Sequence, residues 1–302
     1  MKKSAVSSGN AKRAPLIGKL VILGVGLIGG SFALALKRHQ AVAHVIGVGR
    51  TRANLVAARR LGVIDEIATD PAQALKGADL VLLAVPLGQT AAVLAKIAPY
   101  LEPQTVVTDA GSAKRAVVTH AQRILGSAFA RFVPAHPIAG TEKSGARAAF
   151  AELYEGRNLI VTPAPQTNAR ALRLVTAAWK LAGMKICTMK PDEHDRVFAL
   201  VSHLPHMLSF ALVDQIAGYK DAGALFGYTG SGFRDTVRIA GSSPEMWRDI
   251  CVTNRTALLA AIDDYVRELK GLRDLIKARN SSAVEARFAM ARAARAKWLL
   301  PH

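Results

Sequence analysis

The chain has 302 residues, of which 51% are apolar and 21% charged; a length about twice that of an ordinary domain predicts two folded domains, and this composition excludes a disordered chain. The two cysteines exclude a disulfide scaffold and favour a reducing compartment, so we expect a cytoplasmic protein. The formal charge is +18, but eleven of these charges fall in residues 1–19 and 266–302. A solvated tail and a solvated helix face account for charge at the two ends, so we expect neither a nucleic-acid nor a membrane partner.

The N-terminal part is basic and then strongly apolar. Residues 1–18 predict a flexible tail, and an uncharged run over 20–36 follows, similar in length to a signal peptide or a transmembrane segment. Four glycines in this run oppose a single helix, because glycine is costly inside a helix and useful in a tight turn. We therefore expect no secretion, and we predict a strand over 19–23, a turn over 24–29 and a helix over 30–39.

This strand, turn and helix carry the G-x-G-x-x-G pattern of dinucleotide-binding proteins. The first glycine permits the turn, the second lets the backbone approach a pyrophosphate, and the third allows close helix packing. The helix N-terminus adds unpaired N–H groups and a positive dipole end. The predicted cofactor contacts, including the end of a strand at 80–85, are Gly24, Gly26, Leu27, Ile28, Gly29, Val85 and Pro86.

Strands and helices then alternate along the chain. Apolar runs predict strands at 44–49, 80–85, 105–108, 132–135, 158–162 and 185–189, and a short strand or loop at 64–68. Helices are predicted at 51–61, 90–98 and 114–125. This alternation is typical of a parallel sheet covered on both faces. Beyond Pro191 the apolar spacing predicts only helices, at 192–216, 245–276 and 282–299. The predicted fold is an α/β Rossmann-type domain over residues 19–190, followed by an all-α domain over 191–302.

The end of the second predicted strand bears on the choice of nicotinamide cofactor. NAD-binding folds usually place Asp or Glu there for the ribose 2′-OH, whereas NADP-binding folds use Arg for the 2′-phosphate. Here Arg50, Thr51 and Arg52 follow the strand, and no acid occurs before Asp65. Because the planar guanidinium suits a phosphate, we predict NADP as the preferred cofactor and NAD as the alternative. A solvated arginine loop would give the same pattern.

Two polar segments follow predicted strands at the sheet edge where open α/β folds bind ligands. His136 follows the strand at 132–135, and a histidine there can accept a proton near neutral pH. Ser112 lies between Asp109 and Lys114, where it can hold a substrate hydroxyl, orient a histidine or simply cap the next helix. From the residues alone, a structural role for either side chain stays open.

The helical half has candidates of its own. His203 and His206 lie three apart on one helix face, but no third ligand has a convincing spacing, so we predict a polar pocket lining and no metal site. Pro205 between them is predicted to bend the helix and free backbone groups. Glycines beside arginines at 230–240 suit either an anion or an ordinary charged loop.

Five segments together resemble the prephenate/arogenate (cyclohexadienyl) dehydrogenase family of tyrosine biosynthesis. They are GVGLIGGS at 24–31, DAGSAK at 109–114, HPIAGTEKSG at 136–145, SHLPH at 202–206, and GFRDTVRIA with PEMW between 232 and 247. The resemblance runs in order over about residues 19–275, and the joint match is far more specific than any one motif.

The resemblance implies oxidative decarboxylation of prephenate and/or arogenate, with hydride transfer to NAD(P). It implies that His136 accepts the proton of the ring hydroxyl, that Ser112 bonds this hydroxyl or His136, and that Arg238 pairs with a substrate carboxylate. The other positions implied to line the substrate site are His206, His203, Glu142 and Trp247. A homodimer formed through the helical domain is also implied.

Two other interpretations stay open. A 3-hydroxyacid or 6-phosphogluconate-type dehydrogenase also joins a Rossmann domain to helices, but it uses a catalytic lysine in the helical domain, whereas the better base here is His136. A non-enzymatic nucleotide-sensing or nucleic-acid-binding protein would use the basic surface. The sequence shows no recognition helix and no aromatic platform for stacking, and its aromatic content is 6%.

Overall fold

A six-stranded parallel sheet organises the first half of the chain in this computed structural model, which describes residues 14–141 and 143–299. Its strands are β1 (Ile17–Leu23), β2 (Val42–Val48), β3 (Glu66–Ile67), β4 (Leu80–Leu83), β5 (Val106–Asp109) and β6 (Phe132–Val133). The spatial order is β3-β2-β1-β4-β5-β6, with every pair parallel. The sequence folds this way because its strands are continuous apolar runs, which suit a sheet buried on both faces.

Helices cover both faces of this sheet. They are α1 (Leu27–Arg38), α2 (Arg52–Arg60), α3 (Pro71–Leu75), α4 (Thr90–Ile97), α5 (Arg115–Leu125) and α6 (Ala169–Leu181). Alternate residues of β1 enter different apolar clusters: Leu20 and Ile22 pack with Phe32 of α1, whereas Val21 packs with Leu94 of α4. This alternation is the two-residue period of a strand, and it gives the domain one core on each side of the sheet. The predicted α/β class is confirmed.

The last three strands form a separate sheet, so the prediction of a single parallel sheet up to residue 190 was wrong. They are β7 (Ala135–Pro137), β8 (Asn158–Val161) and β9 (Lys185–Thr188). β7 and β8 are antiparallel, whereas β8 and β9 are parallel. The predicted strand at 132–135 divides at Pro134, which has no N–H to donate to a ladder. The division turns the chain out of the main sheet just before His136.

Helices alone make up the described part of the second half. They are α7 (Pro191–Phe198), a π-helical turn (Ala199–His203), α8 (Leu204–Ala217), α9 (Ala222–Gly227), α10 (Ser231–Val237), α11 (Pro244–Thr253), α12 (Arg255–Lys277) and α13 (Ser281–Trp298). The π-helical turn ends two residues before Pro205, at which the sequence predicted a bend in the helix. The predicted helix at 245–276 is two helices, α11 and α12, which meet at Asn254.

The N-terminal boundary differs from the prediction. β1 begins at Ile17, which is fully buried, and the backbone N–H groups of Gly18 and Lys19 both donate to the Asp79 carboxylate, at 2.7 and 2.9 Å. The predicted tail therefore includes two residues of a core strand. The rest of the predicted tail up to residue 13 lies outside the described residues.

The continuous helical segment Pro191–Ala217 is, within the described ranges, the one helix whose length and composition would allow it to cross a membrane. Only 28% of its most apolar window is buried. Its N-terminal end is engaged with the first domain, because Asp195 accepts hydrogen bonds from the N–H groups of Lys114 and Arg115.

Candidate active site

The glycine-rich turn between β1 and α1 has room for a dinucleotide. Gly24 has a φ of +99°, and a Cβ on it would collide with the Ala84 carbonyl. A Cβ on Gly29 would lie 2.5 Å from the Gly24 oxygen. By contrast, a Cβ on Gly26 would meet nothing within 4 Å, and Gly26 is the N-cap of α1 without a side-chain cap. Open space in front of uncapped helix N–H groups is what a pyrophosphate requires, so the turn fits the cofactor predicted from the sequence.

The remaining predicted cofactor contacts flank this turn. Leu27 and Ile28 form the first turn of α1, and the Ile28 carbonyl accepts a hydrogen bond from the Tyr154 hydroxyl at 2.6 Å. Val85 and Pro86 follow β4, which pairs with β1. Because parallel strands end at the same edge of a sheet, these residues lie together there.

Arg50, Thr51 and Arg52 are exposed and follow the end of β2, beside β1. Thr51 is the N-cap of α2, and its side chain makes no capping hydrogen bond. The Arg50 Nη1 atom lies 3.4 Å from the Glu245 Oε1 atom on α11. The structure therefore places this cationic loop at the boundary between the two halves of the chain.

His136 lies on β7, and its imidazole is nearly buried. Its Nδ1 atom is 2.8 Å from the His194 Nε2 atom, and the Phe198 ring centroid is 4.8 Å from its own. The pKa of His136 is well below its ordinary value, first because burial disfavours the charged form and then because His194, Lys114 and His203 add positive charge nearby. The imidazole is therefore neutral at pH 7 and can accept a proton.

A buried ion pair holds the chain next to His136. The Lys114 ammonium contacts the Asp109 carboxylate and donates to the Ala135 carbonyl at 2.8 Å, while the Ala135 N–H donates to Asp109 at 3.1 Å. Burial lowers the pKa of Lys114, and the negative charge of Asp109 acts against this shift. Ser112 lies in the short loop between the two charged residues, so this pair ties the two ends of that loop to the strand that carries His136.

The helical domain supplies a second group of side chains. His203 is buried, its Nδ1 atom is 3.1 Å from the Asn254 Nδ2 atom, and burial lowers its pKa to about 4. Trp247 is also buried and stacks on the His206 ring with 3.7 Å between centroids. Within the described ranges, the Nε atoms of His203 and Trp247 are buried without a hydrogen-bond partner. Such groups indicate a place for an ordered water or for a ligand.

Arg238 is exposed in a short 3-10 turn, Arg238–Gly241, that packs against α8. The pKa of His206 is lowered by burial and further by the charge of Arg238, which lies nearby. His206 donates from Nδ1 to the Ser202 carbonyl at 2.9 Å. An exposed guanidinium beside a half-buried imidazole suits the carboxylate of a small substrate.

Some of the predicted site residues lie at the boundary between the two domains, since His136 contacts His194 and Arg50 contacts Glu245. His203 links its two sides, because it faces the Ser112 backbone, and its ring centroid is 6.0 Å from that of Trp247. Glu142 lies outside the described residues. Among the residues that the structure describes, no group of three or more His, Cys, Asp or Glu side chains could hold a metal ion.

The sequence prediction missed His194, Asp195 and Asn254. Asn254 donates to the Asp195 carbonyl at 2.8 Å and also contacts His203. His194 and Asp195 stand in the acid-rich start of a helix, where charged side chains are ordinary. Only their burial marks them, and burial is a property of the tertiary structure.

The parallel sheet, the open glycine turn and the neutral histidine beside a helical second domain define a nucleotide-dependent oxidoreductase of the Rossmann type. The family model described as prephenate dehydrogenase, nucleotide-binding domain, matches residues 32–188, and the one described as prephenate dehydrogenase, dimerization domain, matches residues 190–290. The chain belongs to the prephenate dehydrogenase family, and the resemblance seen in the sequence motifs is confirmed.

Named relatives and solved structures agree with this assignment. The chain is 37% identical to a cyclohexadienyl dehydrogenase of Zymomonas mobilis, over 85% of this chain and 88% of the relative, and 37% identical to a prephenate dehydrogenase of Bacillus subtilis, over 85% and 70%. The crystal structure of prephenate dehydrogenase from A. aeolicus, in complex with hydroxyphenyl propionate and NAD+, superimposes with a TM-score of 0.87 at 37% identity, covering 93% of this chain and 98% of that one. Synechocystis arogenate dehydrogenase gives a TM-score of 0.78 at 31% identity, covering 93% and 100%.

Proposed function

We propose that the protein catalyses the oxidative decarboxylation of a cyclohexadienol that carries a ring carboxylate, namely prephenate and/or arogenate. The products are 4-hydroxyphenylpyruvate and/or tyrosine, in tyrosine biosynthesis. The observation that carries the proposal is the neutral, nearly buried His136 in the strand that follows the dinucleotide-binding sheet. A site of this kind needs one proton acceptor and one hydride acceptor, and it needs no metal.

The proposed chemistry uses His136 as a base that returns its proton. A nicotinamide cofactor held at the glycine turn of Gly24, Gly26 and Gly29 would supply the hydride acceptor for the carbon that carries the hydroxyl. His136 takes the hydroxyl proton as that carbon becomes a carbonyl. Carbon dioxide then leaves, the electron pair of the broken bond makes the ring aromatic, and the phenolate oxygen takes the proton back from His136. The reaction therefore consumes no net proton and needs no other reactant.

The proposed roles of the other side chains follow from their positions. Arg238 is exposed and free to pair with a substrate carboxylate in a bidentate manner. His206 and Trp247 form a stacked wall beside it. Ser112, in the loop next to His136, bonds the substrate hydroxyl or His136.

For the cofactor, we propose NADP in preference to NAD. Arg50 and Arg52 are exposed where β2 ends, and the uncapped hydroxyl of Thr51 adds a donor. A 2′-phosphate carries nearly two negative charges. Two guanidinium groups therefore bind it better than they bind the neutral ribose hydroxyl of NAD.

We also propose a cytoplasmic homodimer formed through the helical domain. The second family model is described as a dimerization domain. Large apolar side chains are exposed on several of its helices, among them Val201, Val252 and Leu259. Exposed apolar surface of this kind is typical of a protein interface. Both cysteines are free thiols, which suits a reducing compartment.

A two-substrate, two-cofactor assay tests the activity. The protein is mixed with prephenate or arogenate and with NADP or NAD, and the absorbance of the reduced cofactor is followed. We expect turnover of at least one substrate, with a higher kcat/KM for NADP. Absence of turnover with all four pairs would reject the proposed function.

Two variants then separate catalysis from binding. His136→Asn should lower kcat by at least about 100-fold while cofactor affinity stays normal, because only the base is removed. Arg238→Gln should raise the substrate KM by about tenfold or more, through the lost charge-assisted bonds. Arg234→Gln, an exposed arginine in the same segment, is the matched control and should leave both constants unchanged. A nearly normal kcat in His136→Asn would contradict the role of the base.

A further inference from the structure

Three buried polar side chains form one hydrogen-bonded line that ends at His136. The His136 Nδ1 atom is 2.8 Å from the His194 Nε2 atom, and the His194 Nδ1 atom is 2.8 Å from the Asp195 Oδ1 atom. His194 is fully buried and Asp195 is 4% exposed. Neither residue lies in any of the segments that carry the family resemblance.

The direction of the hydrogen bonds along this line follows from what each group can donate. An ionised carboxylate only accepts, so the proton between His194 and Asp195 sits on His194 Nδ1. A neutral imidazole with a protonated Nδ1 has a lone pair on Nε2, so His194 accepts from His136 Nδ1–H. His136 is then left with an unprotonated Nε2, and that lone pair is the one that can receive the substrate proton.

We propose that His194 and Asp195 are positioning residues that hold His136 in the tautomer required of a base. This inference extends the proposed function, on which its catalytic part rests. In it, the O–H bond of the substrate breaks and an N–H bond forms at His136 Nε2, while the hydride passes to the nicotinamide cofactor already named. The positive charge that His136 gains is shared through His194 towards the Asp195 carboxylate.

The surroundings of Asp195 keep it ionised inside the protein. Its carboxylate accepts from the N–H of Lys114 at 2.7 Å and from the N–H of Arg115 at 3.1 Å, at the N-terminus of α5. Burial acts to raise the pKa of Asp195, but the hydrogen bonds from His194 and from these backbone groups hold it below its ordinary value. The positive end of the helix dipole favours the same charged form.

Several other charged and titratable groups face this line. Lys114 and His203 add positive charge near His136, whereas Asp109 and Asp195 supply negative charge near His194. Lys114 is paired with Asp109. Asp195 is therefore the carboxylate that directly balances a proton arriving at the two histidines.

The tautomer can be measured without any turnover. Nitrogen-15 NMR spectra of the histidine-labelled full chain, with no substrate added, report which ring nitrogen carries the proton. We expect both His136 and His194 to be protonated at Nδ1 and bare at Nε2 near pH 7. A spectrum in which His136 carries its proton on Nε2 would overturn the proposal, whether or not the protein oxidises a cyclohexadienol.

The catalytic part is tested with two substitutions at one position. His194→Leu removes the acceptor for His136 Nδ1–H and should lower kcat by about 100-fold, with KM changed by less than about twofold. His194→Gln keeps an acceptor oxygen and should recover about tenfold of that loss. Equal losses in the two variants, or a loss confined to KM, would show that His194 serves only to fill space.

The pH profile separates the carboxylate from packing. Asp195→Asn removes the negative charge that stabilises the protonated histidines, so the acid limb of kcat should move to lower pH by about one unit. Phe198→Leu is the control, because Phe198 packs on both imidazoles, with centroids at 4.8 and 4.5 Å, without a hydrogen bond to either. Its acid limb should stay in place. If Asp195→Asn folds and its acid limb of kcat does not move, the proposed role of the charge is overturned. If that variant does not fold, the comparison of His194→Leu with His194→Gln tests the proposal instead.

If the wild-type protein turns over neither substrate, the proposed function fails while the tautomer measurement still stands. If the wild type is active but His194→Leu is as fast as the wild type, the positioning role fails and the proposed function survives. The two failures are therefore distinguishable.

Discussion

Arg50 meets a carboxylate at the position proposed for a cofactor phosphate. Its partner, Glu245, belongs to the first turn of α11 in the other half of the chain. Both side chains are about half exposed and 3.4 Å apart, so the pair itself adds little stability. The pair matters for the proposed binding of NADP, because the 2′-phosphate would compete with Glu245 for the guanidinium of Arg50.

Glu245→Gln should therefore strengthen NADP binding, by about threefold, and leave NAD binding nearly unchanged. Arg50→Gln should weaken NADP binding by about tenfold or more and NAD binding much less. Fluorescence titration of each variant with the two reduced cofactors measures these affinities. Equal effects on NADP and NAD would reject the 2′-phosphate role of Arg50.

The turn between β1 and α1 shows how one motif serves two purposes at the scale of an element. Gly24 and Gly29 are required by packing, since a Cβ on either would press on backbone atoms. Gly26 is different, because its φ of −109° suits any residue and the space around it is open. The motif therefore contains two glycines for the fold and one for the ligand.

Replacing single glycines by alanine separates these purposes. Gly29→Ala should lower the free energy of unfolding by about 1–3 kcal/mol, as other overpacked substitutions do. Gly26→Ala should leave this free energy nearly unchanged but weaken cofactor binding by about tenfold or more, because its methyl group occupies the space for the pyrophosphate. Urea unfolding and cofactor titration check the two effects. A loss of stability in Gly26→Ala comparable to that in Gly29→Ala would contradict this division.

At the scale of the whole molecule, the site depends on contacts between the two domains. Asp195 of α7 caps the start of α5, and the Asp249 carboxylate of α11 accepts from the Gly88 N–H at 3.0 Å. Buried histidines line the same boundary. A groove of about 630 Å³ between α12 and α13 lies away from this site and belongs to the exposed helical surface.

The buried histidines should make stability fall as the solution becomes acidic. The pKa of His203 is lowered from 6.5 to about 4 by burial, so between these pH values the unfolded chain binds more protons than the folded one. The contribution of His203 to stability is therefore fully present above pH 6.5 and is lost as the pH falls towards 4, by about 3 kcal/mol. Urea unfolding at several pH values measures this slope, and His203→Gln should reduce it. A slope unchanged in His203→Gln would exclude His203 as a source.

The sequence by itself determined the fold class and the family. The evidence for both is local: continuous apolar strands, a glycine turn and a change to helical spacing after Pro191. Local patterns of this kind can be recognised from the sequence alone. The same holds for His136, which stands in a recognisable segment after a strand. The single-sheet prediction failed because a proline between two short strands decides which sheet each one joins.

Only the tertiary structure decided what surrounds His136. In the sequence, His194 and Asp195 look like part of an ordinary helix start. The hydrogen bond of His194 to β7 joins residues 58 positions apart, and that of Asp195 to α5 joins residues 80 positions apart. The Arg50–Glu245 contact joins residues 195 positions apart. Burial and long-range polar contacts arise when the two domains pack together, and no local pattern of residues encodes them. The sequence thus predicted His136 as the proton acceptor, and the packing of the helical domain placed His194 and Asp195 in line with it.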